Sequence, residues 1–402
     1  MKKRMSPRRK KIRLLALLLL GALFLFSGQT AVGEEYDSVE EALEQEVEEQ
    51  FSALDTELFE EFLAQLDENT RSLYGGLTLE ELVGEVLAGQ AGNAEEFFDQ
   101  IFQLLLFRLL AFLPSLISVI MIALLGGLLN GMRARFLGKN TGEIVHFVCY
   151  LSIVLIVISV LIPLMNLAGN TVQTLRDLMN LLFPLILTLM TASGGVMSGN
   201  LFQPLSAVLS NGVSAVVASV VLPVFMAVTV LSVISNLSEN ISLEKLIDFF
   251  KSAGLWLNGI CFTVFFAFLS VQGITAAGYD GISIRAAKYA IGNSIPIVGG
   301  YLKEGFDLIL GSCVLLKNAI GVCGLLIILS IVILPLLQIL LFSLGLKLTA
   351  GICEPLADKK IPAFLTMVSK NLSLLIAAVL GVAFMFFITV MLFILSSNAV
   401  LA

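Results

Sequence analysis

Residues 320–346 read IGVCGLLIILSIVILPLLQILLFSLGL, twenty-seven positions without one Asp, Glu, Lys, Arg or His. A helix needs about 20 such residues to cross a hydrocarbon core ~30 Å thick. A helix on the surface of a soluble domain turns a charged face to water, and this segment has none to turn. Six further stretches are apolar enough to read the same way, near 105–129, 144–166, 178–197, 206–235, 253–277 and 372–396. The expected fold is therefore all-α: a polytopic membrane protein with about seven transmembrane helices, or eight if 295–316 also crosses.

Composition points the same way. Hydrophobic residues make up 57% of the 402 and charged residues 14%, with a mean hydropathy of +0.96. A soluble domain carries about 25% charged residues. So little charge cannot cover this much apolar chain in water.

The charge that exists is sorted along the chain. Residues 1–13 hold eight Lys or Arg and no acid, and Leu14 to Phe26 is uncharged. With Ala31-Val32-Gly33 as a small-x-small site, 1–33 reads as a signal peptide. Thirteen apolar residues are short for an anchoring span, which favours cleavage over retention.

Residues 34–100 hold twenty-one Asp or Glu against the single base Arg71. Val39, Leu43, Val47, Phe51, Leu54, Leu58, Phe62 and Leu66 recur every three or four positions among these acids. They predict one amphipathic helix or two in series. Tyr74-Gly75-Gly76 breaks the pattern, Thr78-Leu79-Glu80-Glu81 reads as a capping box, and Asn93 as a further N-cap. Residues 34–100 are thus expected to form an acidic helical extracytoplasmic segment. Its charge either keeps a face solvated or docks a partner. Residues 101–402 form the multispanning domain.

Arg133, Arg135 and Lys139 mark the first interhelical loop as cytoplasmic. Seven crossings would then leave Lys347, Lys359, Lys360 and Lys370 outside, against the positive-inside rule. An eighth crossing within 295–316 would bring them back; otherwise 279–320 is a re-entrant element.

That region carries the ionisable residues that membrane segments usually lack. Arg285 and Lys288 are three apart, as are Glu304 and Asp307. A fold-back at Pro296 and Gly299-Gly300 would let the two pairs neutralise each other. With Lys317 and Asn318 these are the candidate pore or interface residues, joined by Gly194 and Gly195 of the Gly-rich stretch 191–200. Small residues there either let helices pack closely or break a helix. The bland reading of 279–317 is a helical hairpin with ordinary surface charges.

Catalysis finds little to work with. His146 is the single histidine; Cys149, Cys261, Cys313, Cys323 and Cys353 are scattered without a CxxC; no GxxxxGK[ST] occurs. Tyr279-Asp280 lacks the companion GxGD that an intramembrane aspartyl protease requires. No enzyme activity, cofactor, metal or nucleic-acid partner is expected; the bilayer is the partner the sequence demands.

Longer words in the sequence carry a resemblance. Ser270-Val271-Gln272-Gly273, Arg285-Ala286-Ala287-Lys288, Gly292-Asn293-Ser294-Ile295-Pro296-Ile297-Val298-Gly299, Gly311-Ser312 and Leu315 to Gly321 stand in that order, after Ala192-Ser193-Gly194-Gly195-Val196. The chain resembles the stage III sporulation protein AE family of endospore-forming Firmicutes. The resemblance implies a membrane subunit of a secretion-like channel, or feeding conduit, in the mother-cell membrane around the forespore. Such a conduit supports forespore development and late sigma-G-dependent gene expression. It also implies partners: other stage III sporulation A-operon membrane proteins and the forespore protein SpoIIQ. A non-conducting scaffold of that complex, or an autonomous small-solute transporter, are the other function classes. The family brings no catalytic residues.

Overall fold

The computed structural model describes residues 37–90, 94–136, 139–195, 208–237, 243–294, 299–355 and 357–396. The signal segment 1–33, Asn93 and Pro296 lie outside these. The described residues are helical and contain no strand. By packing the chain divides into Met1–Gln45 and Glu46–Ala402. Of the first unit only 37–45 is described, the opening turns of a helix.

Four short helices lead the chain: α1 (Asp37–Ser52), α2 (Glu57–Gln65), α3 (Glu68–Leu73) and α4 (Leu79–Leu87). The apolar repeat of the acidic segment is thus shared among consecutive helices. Ser52, Asp55 and Thr56 interrupt it, residue types whose side chains compete with the helical backbone. Gly75 and Gly76 take φ of 79° and 65°, the left-handed turn that only glycine adopts freely. Thr78 then caps α4 as its sequence predicts: its Oγ1 accepts from Glu81 N at 3.2 Å, and its N–H donates to Glu81 Oε2 at 2.8 Å. Leu79, Leu82 and Val83 are buried, and the helix packs against α9.

Long helices follow: α5 (Ala94–Phe136), α6 (Lys139–Ala192), α7 (Leu222–Leu237), α8 (Glu244–Ser294), α9 (Gly299–Cys353), α10 (Lys360–Asn371) and α11 (Ser373–Ser396). Two π-helical segments, Val208–Val213 and Val217–Val221, precede α7. They stand where the span 206–235 was expected to begin as regular α-helix.

Six helical stretches are long and apolar enough to cross a membrane among the described residues. The sequence expectation was about seven. The difference lies in α6: the expected spans 144–166 and 178–197 are parts of one unbroken helix of 54 residues. Placing spans by apolar length leaves 167–177 between them. Residues 167–177 hold Gly169, Asn170, Thr171, Thr174 and Asp177 but no proline, and the Thr171 and Thr174 hydroxyls bond back to Leu167 O and Asn170 O inside a continuous helix.

α9 is the central element and packs against α5, α6, α8, α10 and α11. Its small residues permit this. A Cβ on Gly321 would lie 2.5 Å from Ile394 Cγ1, and one on Gly324 would overlap Leu182. With little hydrophobic drive between helices in lipid, such close approach and interhelical hydrogen bonds hold a bundle together. Tyr150 Oη donates to Val233 O at 2.8 Å, Asn258 Nδ2 to Ala377 O at 2.7 Å, and Asn371 Nδ2 to Ser232 Oγ at 2.9 Å.

Candidate functional site

The residues singled out in the sequence fall into three places. Lys288, near the end of α8, meets Asp307, near the start of α9, with Nζ 2.6 Å from Oδ1. The two helices therefore run back along each other, with 295–298 between them outside the described residues. Arg285 and Glu304 are exposed, and Gly299 and Gly300 open α9. Of the two charge pairs, Lys288 and Asp307 form an ion pair. Both side chains keep partial contact with solvent.

Lys317 lies elsewhere, fully buried against the far end of α11. Its Nζ donates to Phe393 O at 2.9 Å and Ile394 O at 3.0 Å. These are among the last four carbonyls of α11, which have no partner within their own helix. A cation at a helix C-terminus also meets the negative end of its dipole. Lys317 thus caps a neighbouring helix. Asn318 beside it is half-buried.

Gly194 and Gly195 end α6 close to the same level. Gly194 has φ 88°; its N–H donates to Thr191 O at 3.0 Å, and Gly195 N–H to Met190 O at 2.8 Å. The two bonds form a Schellman motif. Of the alternatives for this segment, the described glycines act as a helix stop. Ser396 Oγ reaches Met190 Sδ at 3.3 Å, and the rings of Phe183 and Phe393 meet edge-on at 5.3 Å. The C-termini of α6 and α11 and the Lys317 turn of α9 are consequently one packed layer.

A second arrangement escaped the sequence reading. Asn166, Asn170, Gln173, Asp177 and Asn180 recur at intervals of three and four, on one face of α6. The amides are exposed and Asp177 is half-buried. Arg176 Nε donates to Asn211 Oδ1 at 3.0 Å, tying α6 to the π-helical segment before α7. π-helical turns are found disproportionately at functional sites. The spacing was visible in the sequence; the assumption of a loop at 167–177 concealed it.

Among the described residues no three His, Cys, Asp or Glu side chains gather around a possible metal. The described residues offer an apolar helical bundle, an exposed polar face on α6, and the charged contact between α8 and α9.

These features define a class: a helical, multi-pass membrane protein. Comparison with known proteins narrows it. The family model described as stage III sporulation protein AE matches residues 77–397. Stage III sporulation protein AE of Bacillus subtilis (strain 168) is 26% identical over 391 residues, covering 95% of this chain and 97% of that protein. The chain belongs to the stage III sporulation protein AE family. No solved structure matches.

Proposed function

We propose that this sporulation membrane protein is a membrane subunit of the secretion-like conduit between mother cell and forespore, and that it contributes a wall of the passage. The reading places it in the mother-cell membrane surrounding the forespore. Residues 1–33 export the chain, and 34–100 face the intermembrane space. There the segment would meet the other stage III sporulation A-operon membrane proteins and the forespore protein SpoIIQ. Forespore development and late sigma-G-dependent expression depend on what the conduit carries.

Six crossings make this orientation self-consistent. With an exported start, the connections at 137–138, 238–243 and 354–359 fall on the cytoplasmic side. Lys139, Lys245, Lys347, Lys359 and Lys360 then flank cytoplasmic loops, as the positive-inside rule requires. No extra crossing near 295–316 is needed. The Lys288–Asp307 pair, at the α8–α9 end, lies on the opposite side.

The polar face of α6 carries the proposal. Five polar side chains spread over 166–180, about 21 Å of helix. Amides and a carboxylate facing hydrocarbon are costly, so such residues line water or meet other polar groups. Exposed or half-buried on this chain, they line water in the conduit reading and meet polar groups of a partner subunit in the scaffold reading.

The test is labelling of single cysteines, introduced at Gln173 and Val230 in a cysteine-free background, by a charged, membrane-impermeant thiol reagent in sporulating cells. Both positions are exposed, but Val230 lies on an apolar face of α7. Labelling confined to the Gln173 variant, and dependent on the assembled complex, supports the passage. Equal protection of the two sinks it and leaves the scaffold. Labelling and solute uptake in vesicles holding this chain alone would instead mark an autonomous transporter.

A further inference from the structure

The apolar stretches of the six spans, 109–132, 149–192, 208–237, 253–279, 320–346 and 373–396, contain no Asp, Glu, Lys, Arg or His except Arg176 and Asp177. An ionisable residue inside a span is costly and marks a functional position. We infer, on the conduit reading, that Asp177 selects what the passage carries: cationic and uncharged polar solutes, with anions turned back.

The depth of Asp177 follows from helix packing. Leu182 of α6 lies against Gly324 of α9. Further along α6, Met190 meets the end of α11, as does Lys317, further back on α9. The two helices therefore run antiparallel. Five residues back from Leu182 and five on from Gly324 set Asp177 level with Leu329, inside the uncharged run 320–346.

Its neighbour does not cancel it. Consecutive residues on a helix diverge by about 100°, and residues one apart do not face each other. Arg176 stands at the edge of the polar face, where its Nε donates to Asn211 Oδ1 at 3.0 Å. Asp177 stands in the middle, between Gln173 and Asn180, and has no hydrogen-bond or ion-pair partner among the described residues. The guanidinium is drawn aside and the carboxylate stays on the face.

A charge among low-dielectric helices acts on a passing ion more strongly than in bulk water, and carboxylates lining a pore favour cations. Uncharged polar solutes meet the exposed amides of Asn166, Asn170, Gln173 and Asn180, which both donate and accept. Thr188 and Thr191 are exposed on the same side and continue it, without charge, toward the end of α6.

The test uses membranes isolated from sporulating cells, which hold the assembled complex, with Gln173→Cys in an otherwise cysteine-free chain. Two impermeant thiol reagents of like size label it, one ending in a trimethylammonium and the other in a sulfonate. Each rate is divided by the rate of that reagent with a free thiol in solution. The cationic reagent is expected to be faster, by roughly tenfold after this correction. Asp177→Glu should keep the preference, Asp177→Asn should equalise the reagents, and Asp177→Lys should invert their order. Labelling by both at equal corrected rates would overturn the inference while leaving a wet passage. Labelling by neither would remove the passage and the inference with it. A cationic preference that survives Asp177→Asn would overturn Asp177 as its source. Should the Asn variant fail to assemble, the two rates in the parent still decide between a preference and none.

Discussion

The Lys317 ammonium lies 2.9 Å from the carbonyl oxygen of Phe393, 76 residues further along the chain. A second bond, to Ile394 O at 3.0 Å, completes the cap. One side chain thus serves the end of a different helix and fixes how far α11 slides along α9.

Replacing Lys317 with Met keeps the volume and removes the donors. Two carbonyls are then stranded among Phe183, Phe393 and Ile394. Hydrogen bonds to a charged group contribute about 1.5–3 kcal/mol, and a buried acceptor left alone costs a similar amount. The Met variant should be destabilised by about 2–3 kcal/mol, read as a lower Tm of the purified protein in detergent. An unchanged Tm would mean that the α11 carbonyls do not depend on Lys317.

Gly321 is one turn along the same helix, and it has no room for a side chain against Ile394. Overpacking a core by a few methylenes costs typically about 1–3 kcal/mol. Gly321→Leu should therefore push α9 from α11 and reduce the yield of folded protein, while Gly305→Leu, in open space, should not. Size-exclusion profiles of the two variants, purified side by side, make the comparison.

What the sequence made legible follows from range. The run 320–346 specifies a membrane helix through its own length, and Thr78 with Glu81 specifies a cap within four residues. The spacing of Arg285, Lys288, Glu304 and Asp307 foreshadowed the meeting of Lys288 with Asp307 because both lie in one hairpin. Lys317 was recognised as a candidate, yet its role rests on Phe393, which no local pattern reveals. The polar face of α6 was missed for a different reason. Span assignment by apolar length leaves Asn170, Gln173 and Asp177 between spans, although their three-and-four spacing is that of a helix face.

The capping box of α4 predicts a dependence on pH. The Thr78 N–H and then the Thr78 hydroxyl hold the exposed Glu81 carboxyl below its ordinary value. A lowered carboxylate pKa contributes stability that is present above the unfolded value and lost as pH falls through the folded one. The start of α4 should therefore fray on acidification below the usual carboxylate range. Glu81→Gln should flatten that response. Amide exchange at Glu81 and Leu82, followed against pH in both proteins, measures it; identical profiles would remove the box as the cause.

The Lys288–Asp307 pair gives the most discriminating substitution, because its charges can be exchanged. Both side chains are partly exposed, so their attraction is screened and worth about 0–1 kcal/mol. Asp307→Lys alone places two cations at the α8–α9 contact, whereas Lys288→Asp with Asp307→Lys restores the pair in reverse. If the contact only joins two helices, the exchanged protein should behave as the original in both assembly and sporulation. If a partner reads the sign of charge at this end, the exchanged protein should fold normally but fail to sporulate. Spore counts, set beside co-purification of the other stage III sporulation A-operon proteins, distinguish the two. Under the conduit reading a passage element loses transport with the complex intact, whereas a scaffold loses the complex.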